Sequence, residues 1–261
     1  APGAPAYGAF KWFGYFPGNA DRGVPDFMPM IILNEGETGR PIAVMDGIWI
    51  SAIRTALISL IAARAMARPD PRSIGFIACG SQARSHLDAF ASALPLTRVI
   101  ATSRRPETAE AFAALARERG LEAEVVADPR QVMAMSDIVV SSVPSRADGA
   151  GALDGAWVKP GTFVAAVDLG FGWRRNSLAT LDRTVTDDHE QSTTGPNGTL
   201  NQDSPIGAEL CDVVAGKVPG RASPEERNAL IFSGTGIADL AAASLIYATA
   251  VERGLGTRLP L

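Results

Sequence analysis

The sequence predicts an α/β protein, and three observations carry that prediction. From Pro71 onward, short apolar runs alternate with amphipathic helical stretches, which implies a parallel sheet wrapped by helices. Before that point, residues 9–47 form short segments punctuated by turn residues, which reads as a meander or hairpin pair. The last helical stretch, about Ile237 to Arg253, is apolar on most of its faces and needs a large surface to pack against, either the N-terminal sheet or a second subunit.

The N-terminal strands are predicted at Phe10 to Phe16, Met28 to Leu33 and Pro41 to Met45, with a turn at Glu35 to Gly39. Ile50, Ile53, Leu57, Leu60 and Ile61 recur at helical spacing between Ile48 and Met66, and Arg68-Pro69-Asp70-Pro71 stops that helix. Strands follow at Ser73 to Cys79, Arg98 to Thr102, Ala123 to Val126, Ile138 to Val143, Phe163 to Val167 and Arg183 to Thr186. Helices are predicted at about Ser81 to Leu94, Glu107 to Arg119 and Arg130 to Met135. Residues 187–235 read as turn-rich, with a loop at Gly195-Pro-Asn-Gly198 and a short helix near Ile206 to Ala215.

A chain of 261 residues makes one large domain or two modest ones, long enough to bury a core without disulfides. Lys and Arg number 24 against 28 Asp and Glu, a net charge of −4 with no block of like charges, so the basic footprint of a nucleic-acid binder is missing. Arg54 and Asp239 interrupt the two longest apolar stretches, which argues against a bilayer-spanning segment and makes a membrane partner unexpected. Two distant cysteines and two histidines form neither a disulfide framework nor a zinc set, and suit a reducing, cytoplasmic setting. The start, Ala1 to Gly8, lacks the basic and apolar regions of a signal peptide, and the chain is expected to begin within a longer protein.

The chemistry concentrates first at Ser73 to Ala83, a buried strand followed at once by a small-residue turn and a helix. In a dinucleotide fold the first small residue makes the tight turn, the second lets backbone approach the pyrophosphate, and the third lets helix pack on strand. Here those positions are Ala78, Gly80 and Ala83. A plain strand-to-helix turn has the same look, but this one opens the first βαβ unit. After the next strand, where an NAD site places a carboxylate for the ribose hydroxyls, the chain has Ser103-Arg104-Arg105. A hydroxyl and two guanidinium groups accept a 2′-phosphate by charge-assisted hydrogen bonds, so the reading is NADP(H) over NAD(H). The alternative is a solvated lead-in to a helix.

Several segments together resemble the ornithine cyclodeaminase/mu-crystallin family. They are Phe10-Lys-Trp12, Pro17-Gly-Asn19, Leu33 to Gly39 with Met45-Asp-Gly47, Ser51 to Ala56, Gly75 to Arg84, Asp137 to Val140 with Pro144, Trp157 to Gly161, and Gly234 to Leu240. They follow the family's order over nearly the whole chain. The resemblance implies a Rossmann dinucleotide-binding domain over residues 55–236, and a smaller α+β dimerisation and substrate platform from 1–54 with 237–261. It also implies a homodimer, hydride transfer at the α-carbon of a small amino or imino acid, and a nicotinamide cofactor. Carried onto this chain, Lys11 sits by the substrate carboxylate or imine, Arg54 clamps the carboxylate, and Thr55, Gln82, Val143 and Pro144 join the cofactor site. A strand lysine snorkelling to solvent is the other reading of Lys11.

Asp168, after the strand that follows Lys159-Pro-Gly161, is the acid/base candidate; a structural Asp capping the next loop is the alternative. It stands two positions earlier than in the Gly-Gly-Asp pattern of the ornithine enzymes, which argues against cyclodeaminase chemistry. The family also carries a further N-terminal segment with a second carboxylate-binding arginine, and none precedes Ala1 in this sequence; the expectation is that it was cleaved, lies outside this sequence, or leaves the site incomplete. Asp187-Asp-His-Glu190 looks like a metal cluster, but Asp188 reads as a helix cap, His189 as exposed, and no metal is expected. His86 reads as a surface or packing histidine and Cys79 as a small filler in the turn. The leading expectation is an NADP(H)-dependent imino-acid reductase. Its rivals are an NAD-dependent ornithine cyclodeaminase and a non-enzymatic NADPH-binding protein.

Overall fold

The computed structural model describes residues 6–144, 151–194 and 206–259, and the chain divides into two compact units, residues 1–54 with 235–261 and residues 55–234.

The first unit is a three-stranded antiparallel meander, β1 (Tyr7–Tyr15), β2 (Phe27–Glu35) and β3 (Pro41–Asp46), with the C-terminal helix Gly236–Glu252 packed on β1 and β2. Strand periodicity sorts its residues by face. Lys11 lies opposite Ile31, and Ile31 and Leu33 are fully buried beneath Ala243, Leu240 and Ile246 of the helix. On the other face Phe10, Trp12 and Val44 are exposed at 61%, 66% and 59%. A shallow apolar groove of about 460 Å3 runs along it, lined by Trp12, Gly14, Phe16, Met28 and Met30. The C-terminal helix thus covers one side of the N-terminal sheet, while its own Ile237, Leu245 and Val251 stay exposed.

Helix α1 (Ile48–Met66) contains the unit boundary, between Arg54 and Thr55. By length and composition it is long and apolar enough to cross a bilayer despite Arg54, which corrects the expectation from the interrupted run; half of that window is buried in the fold, as in a core helix.

The second unit alternates strands and helices: β4 (Ser73–Ile77), α2 (Ser81–Ala93), β5 (Arg98–Thr102), α3 (Pro106–Glu118), β6 (Glu122–Val125), α4 (Pro129–Met135), β7 (Ile138–Ser141) and β8 (Phe163–Ala166). Then come β9 (Arg183–Thr186), α5 (His189–Thr194), β10 (Ala208–Glu209), α6 (Leu210–Val214) and β11 (Asn228–Ile231), with the C-terminal helix of the first unit as α7. Among the described residues the strands form one parallel sheet in the order β10-β9-β11-β8-β7-β4-β5-β6. Residues in β4, β7 and β8 are buried on both faces, as parallel strands covered by helices must be. Helix α3 starts with Pro at its first turn and seats Phe112 edge-on against Phe76 of β4, centroids 4.8 Å apart. Helix α4 is capped by Asp128, whose carboxylate accepts from Arg130 N at 2.9 Å.

Two elements correct the sequence reading. Strand β11 lies inside the stretch read as turn-rich, yet it is a central strand between β8 and β9, every residue buried, and Asn228 anchors its start by donating to Met66 O at 3.0 Å. The predicted short helix near Ile206 to Ala215 resolves into the two-residue β10 and the single-turn α6. The loop at Gly195 to Gly198 lies outside the described residues.

Candidate active site

The chain order reverses at β4: β5 and β6 extend the sheet one way, then β7 and β8 the other. Ligands of doubly wound sheets bind outside the carboxyl ends of the strands at such a point. The turn leaving β4 is Ala78-Cys79-Gly80, and it is linked to the loop leaving β7 by Ser142 Oγ, which donates to Ala78 O at 3.2 Å. Ala78 has φ +70°, the left-handed conformation a tight turn demands and an L residue adopts at a cost of about 1–2 kcal/mol. A glycine is the usual occupant there, and alanine is the smallest substitute. Cys79 fills the space beneath, its thiol donating to Thr102 O at 3.4 Å and pushed up to about 12 by burial, so it stays protonated.

Gly80 caps α2, and a Cβ built on it would meet nothing within 4 Å, so open space lies over the helix N-terminus where a phosphate is favoured. Ala83, one turn later, is fully buried against the sheet. Gln82 has a buried Oε1 with no partner among the described residues. Beyond β5, Ser103 is half-buried, while Arg104 and Arg105 are exposed and make no ion pair among the described residues. Tight turn, open helix start, orphaned acceptor and two exposed guanidinium groups fit a dinucleotide with its adenosine end at β5.

Asp168 stands at the carboxyl edge of β8, beside the same loop. Its carboxylate accepts from Val143 N at 3.2 Å and Gly170 N at 3.3 Å. Burial pushes the carboxyl up to about 7 against the opposing pull of those donors. Leu169 (φ +58°) and Gly170 (φ +84°) make the tight turn that follows, and a Cβ on Gly172 would lie 2.5 Å from Asp168 Oδ2, so only glycine leaves the carboxyl room. A carboxyl that ionises near neutrality at this edge suits general acid/base work.

In the first unit, Asp239 of α7 is 5% exposed and sits between two cations, with Lys11 Nζ 2.9 Å and Arg54 Nε 3.4 Å from its Oδ1. Lys11 also lies 5.6 Å from the Phe27 ring centroid and 6.0 Å from that of Phe13. Burial lowers the Lys11 ammonium pKa and the Arg54 charge adds to that, while Asp239 opposes both. Lys11 and Arg54 thus place two positive charges around the Asp239 carboxylate, a pair of cations of the kind that recognises a carboxylate.

The predicted site residues therefore fall into two sets, each within its own unit. Lys11 and Arg54 converge on Asp239; Ala78, Gly80, Gln82, Ala83, Ser103, Arg104, Arg105, Val143, Pro144 and Asp168 line the carboxyl edge of the parallel sheet. Thr55, first residue of the second unit, is buried within α1. Asp239 was missed as a site residue, although an acid in the first turn of an otherwise oily helix is a signal for one. His86 is buried, bonded to Gln82 O at 2.7 Å and Ser59 Oγ at 3.0 Å, and pushed down to about 4, a packing residue. Asp188 caps α5 through Gln191 N at 2.9 Å, His189 is exposed, and Asp187 accepts from the Ser233 and Gly234 amides.

The family model described as ornithine cyclodeaminase/mu-crystallin matches residues 3–254. An alanine dehydrogenase of Archaeoglobus fulgidus is 33% identical over 97% of this chain and 80% of its own length. Among solved structures, an archaeal alanine dehydrogenase dimer with bound NAD superposes with a TM-score of 0.89 at 30% identity, covering 98% of this chain and 81% of that one. The Δ1-pyrroline-2-carboxylate reductase of Thermococcus litoralis, in complex with NADH and L-proline, superposes with a TM-score of 0.86 at 28% identity, covering 96% and 80%.

Proposed function

The chain belongs to the ornithine cyclodeaminase/mu-crystallin family, and from that premise we propose that it is an NADP(H)-dependent oxidoreductase that reduces a small imino acid to the amino acid, or runs the reverse reaction. The observation that carries this reading is Asp168, a carboxyl buried beside the dinucleotide turn and ionising at about 7. Relatives named alanine dehydrogenase and pyrroline-2-carboxylate reductase support the reaction class, oxidation or reduction at a C–N bond.

The reduced nicotinamide, when bound, supplies a hydride. The chain's residues do the rest. Arg54 grips the substrate carboxylate through a planar fork, Lys11 adds a second positive charge, and Asp239 holds both cations in place before substrate arrives. Fixing the carboxylate orients the α-carbon. Protonated Asp168 gives its proton to the substrate nitrogen or its neighbour during reduction and takes one back during oxidation. Ser103, Arg104 and Arg105 carry the NADP(H) preference, since the residues directly after β5, Ser103 to Pro106, hold no carboxylate to repel a 2′-phosphate. The relatives with NAD or NADH bound show that this fold also takes the unphosphorylated cofactor. A homodimer formed on the exposed Phe10, Trp12 and Val44 face completes the proposal.

Oxidation of NADPH and NADH, followed in parallel with pyrroline-2-carboxylate, piperideine-2-carboxylate, and pyruvate with ammonia, tests it. Turnover faster with NADPH supports the reading. Turnover of ornithine without added cofactor would replace it with a cyclodeaminase, and tight NADPH binding with no turnover would replace it with a binding protein.

A further inference from the structure

His86 lies in the second turn of α2 and is fully buried, as is Ser59 in the middle of α1. Thr55 of α1 and Gln82 of α2, both expected at the cofactor site, are connected through these two side chains, all four residues within the second unit. Ser59 Oγ lies 3.1 Å from Thr55 O and 3.0 Å from His86 Nε2, and His86 Nδ1 lies 2.7 Å from Gln82 O. A backbone carbonyl only accepts, so the bond to Gln82 O puts a proton on Nδ1. Burial keeps the ring neutral, with its pKa pushed down to about 4, so Nε2 holds a lone pair and bonds Ser59 as an acceptor. The one Ser59 proton therefore has two acceptors in reach. A helix carbonyl already bonded to the N–H four residues on can spare the hydroxyl, while a buried imidazole nitrogen needs a donor. Phe90, one turn further along α2, stacks on the ring with centroids 6.0 Å apart and fixes its plane.

We propose that His86 is a positioning residue of the dinucleotide site, a neutral Nδ1–H imidazole that braces the first turns of α2 against α1 by accepting from Ser59 and donating to Gln82 O. The inference rests on the dinucleotide reading of the turn leaving β4. The N-terminus of α2, with Gly80 at its cap and open space above, is the end that meets the pyrophosphate. A brace one turn behind it holds those amides at a fixed distance from Thr55. The cost of ordering the cradle is then met in folding, and the dinucleotide binds to groups already in place.

Nitrogen NMR on the full chain labelled in its imidazoles tests the brace directly, and with two histidines in the sequence His86→Asn assigns the signals. A neutral Nδ1–H ring is expected at pH 7. An Nε2–H or charged ring overturns the brace without reference to any ligand. Dissociation constants for NADPH and NADH, taken well below each variant's melting midpoint, then test its purpose. Ser59→Ala leaves Nε2 without its donor, and His86→Asn keeps a polar group near Nδ1 but is too short to reach Ser59. Each should weaken both dinucleotides by about 3–10-fold, the worth of one neutral hydrogen bond. Adenosine 2′-monophosphate, which has no pyrophosphate to meet α2, should bind the variants as it binds the unaltered chain. Unchanged dinucleotide affinity in both variants, or equal weakening of the monophosphate, overturns the positioning role and leaves His86 to packing alone. If His86→Asn does not fold, Ser59→Ala decides by itself. An unaltered chain that binds neither dinucleotide defeats the dinucleotide reading and the positioning role with it, a result distinct from binding that the variants leave unchanged.

Discussion

The Asp168 carboxyl is raised from an ordinary 3.8 to about 7 by burial, and two pH dependences of known sign result. Folding favours its protonated form, so this group's stabilising contribution is complete below pH about 4 and is lost as pH rises through 7. Urea unfolding at pH 5 and pH 8 should show a decline that is shallower in Asp168→Asn. In catalysis the same ionisation should slow imine reduction above pH 7 and speed amino-acid oxidation there. Arg104 and Arg105 define a second residue-level prediction: Arg104→Ala should raise the NADPH dissociation constant by about 10–100-fold and leave NADH nearly unchanged, since only the 2′-phosphate is lost as a partner. Asp239→Asn strands Lys11 and Arg54 side by side in a half-buried place and should cost about 3 kcal/mol of stability in a denaturant titration.

At the scale of elements, Gly80 separates binding from folding. With φ −83° and open space over its Cα, Gly80→Ala should shift the melting temperature little and still weaken dinucleotide binding, measured by fluorescence titration. Most elements here were legible in the sequence for physical reasons. Helix α1 declares itself by its apolar spacing and its Pro69 and Pro71 stop, and β5 and β8 by compact apolar runs between turns. Strand β11 was illegible because Asn228-Ala-Leu-Ile231 lies within a turn-rich stretch and begins with a buried asparagine, whose satisfaction by Met66 O is a tertiary fact. The site followed the same division. Lys11, Arg54 and Asp168 sit in local patterns, whereas the role of Asp239 appears only when α7 brings it to Lys11, 228 positions away.

For the whole molecule, the meander leaves Phe10, Trp12 and Val44 uncovered on one face, and exposed apolar side chains grouped in this way mark an interaction surface. Trp12→Glu should convert the proposed homodimer to a monomer in light scattering while the second unit keeps its dinucleotide affinity. The central claim, that this chain moves a hydride between a nicotinamide and the α-carbon of an amino acid, is tested most directly with isotope. NADPH bearing deuterium at ring carbon 4 is turned over with pyrroline-2-carboxylate, and the amino-acid product is read by mass spectrometry. One deuterium on the α-carbon of the product is the predicted result. An amino acid formed without deuterium, whichever face of the ring is labelled, or no product from any imino acid, would contradict it.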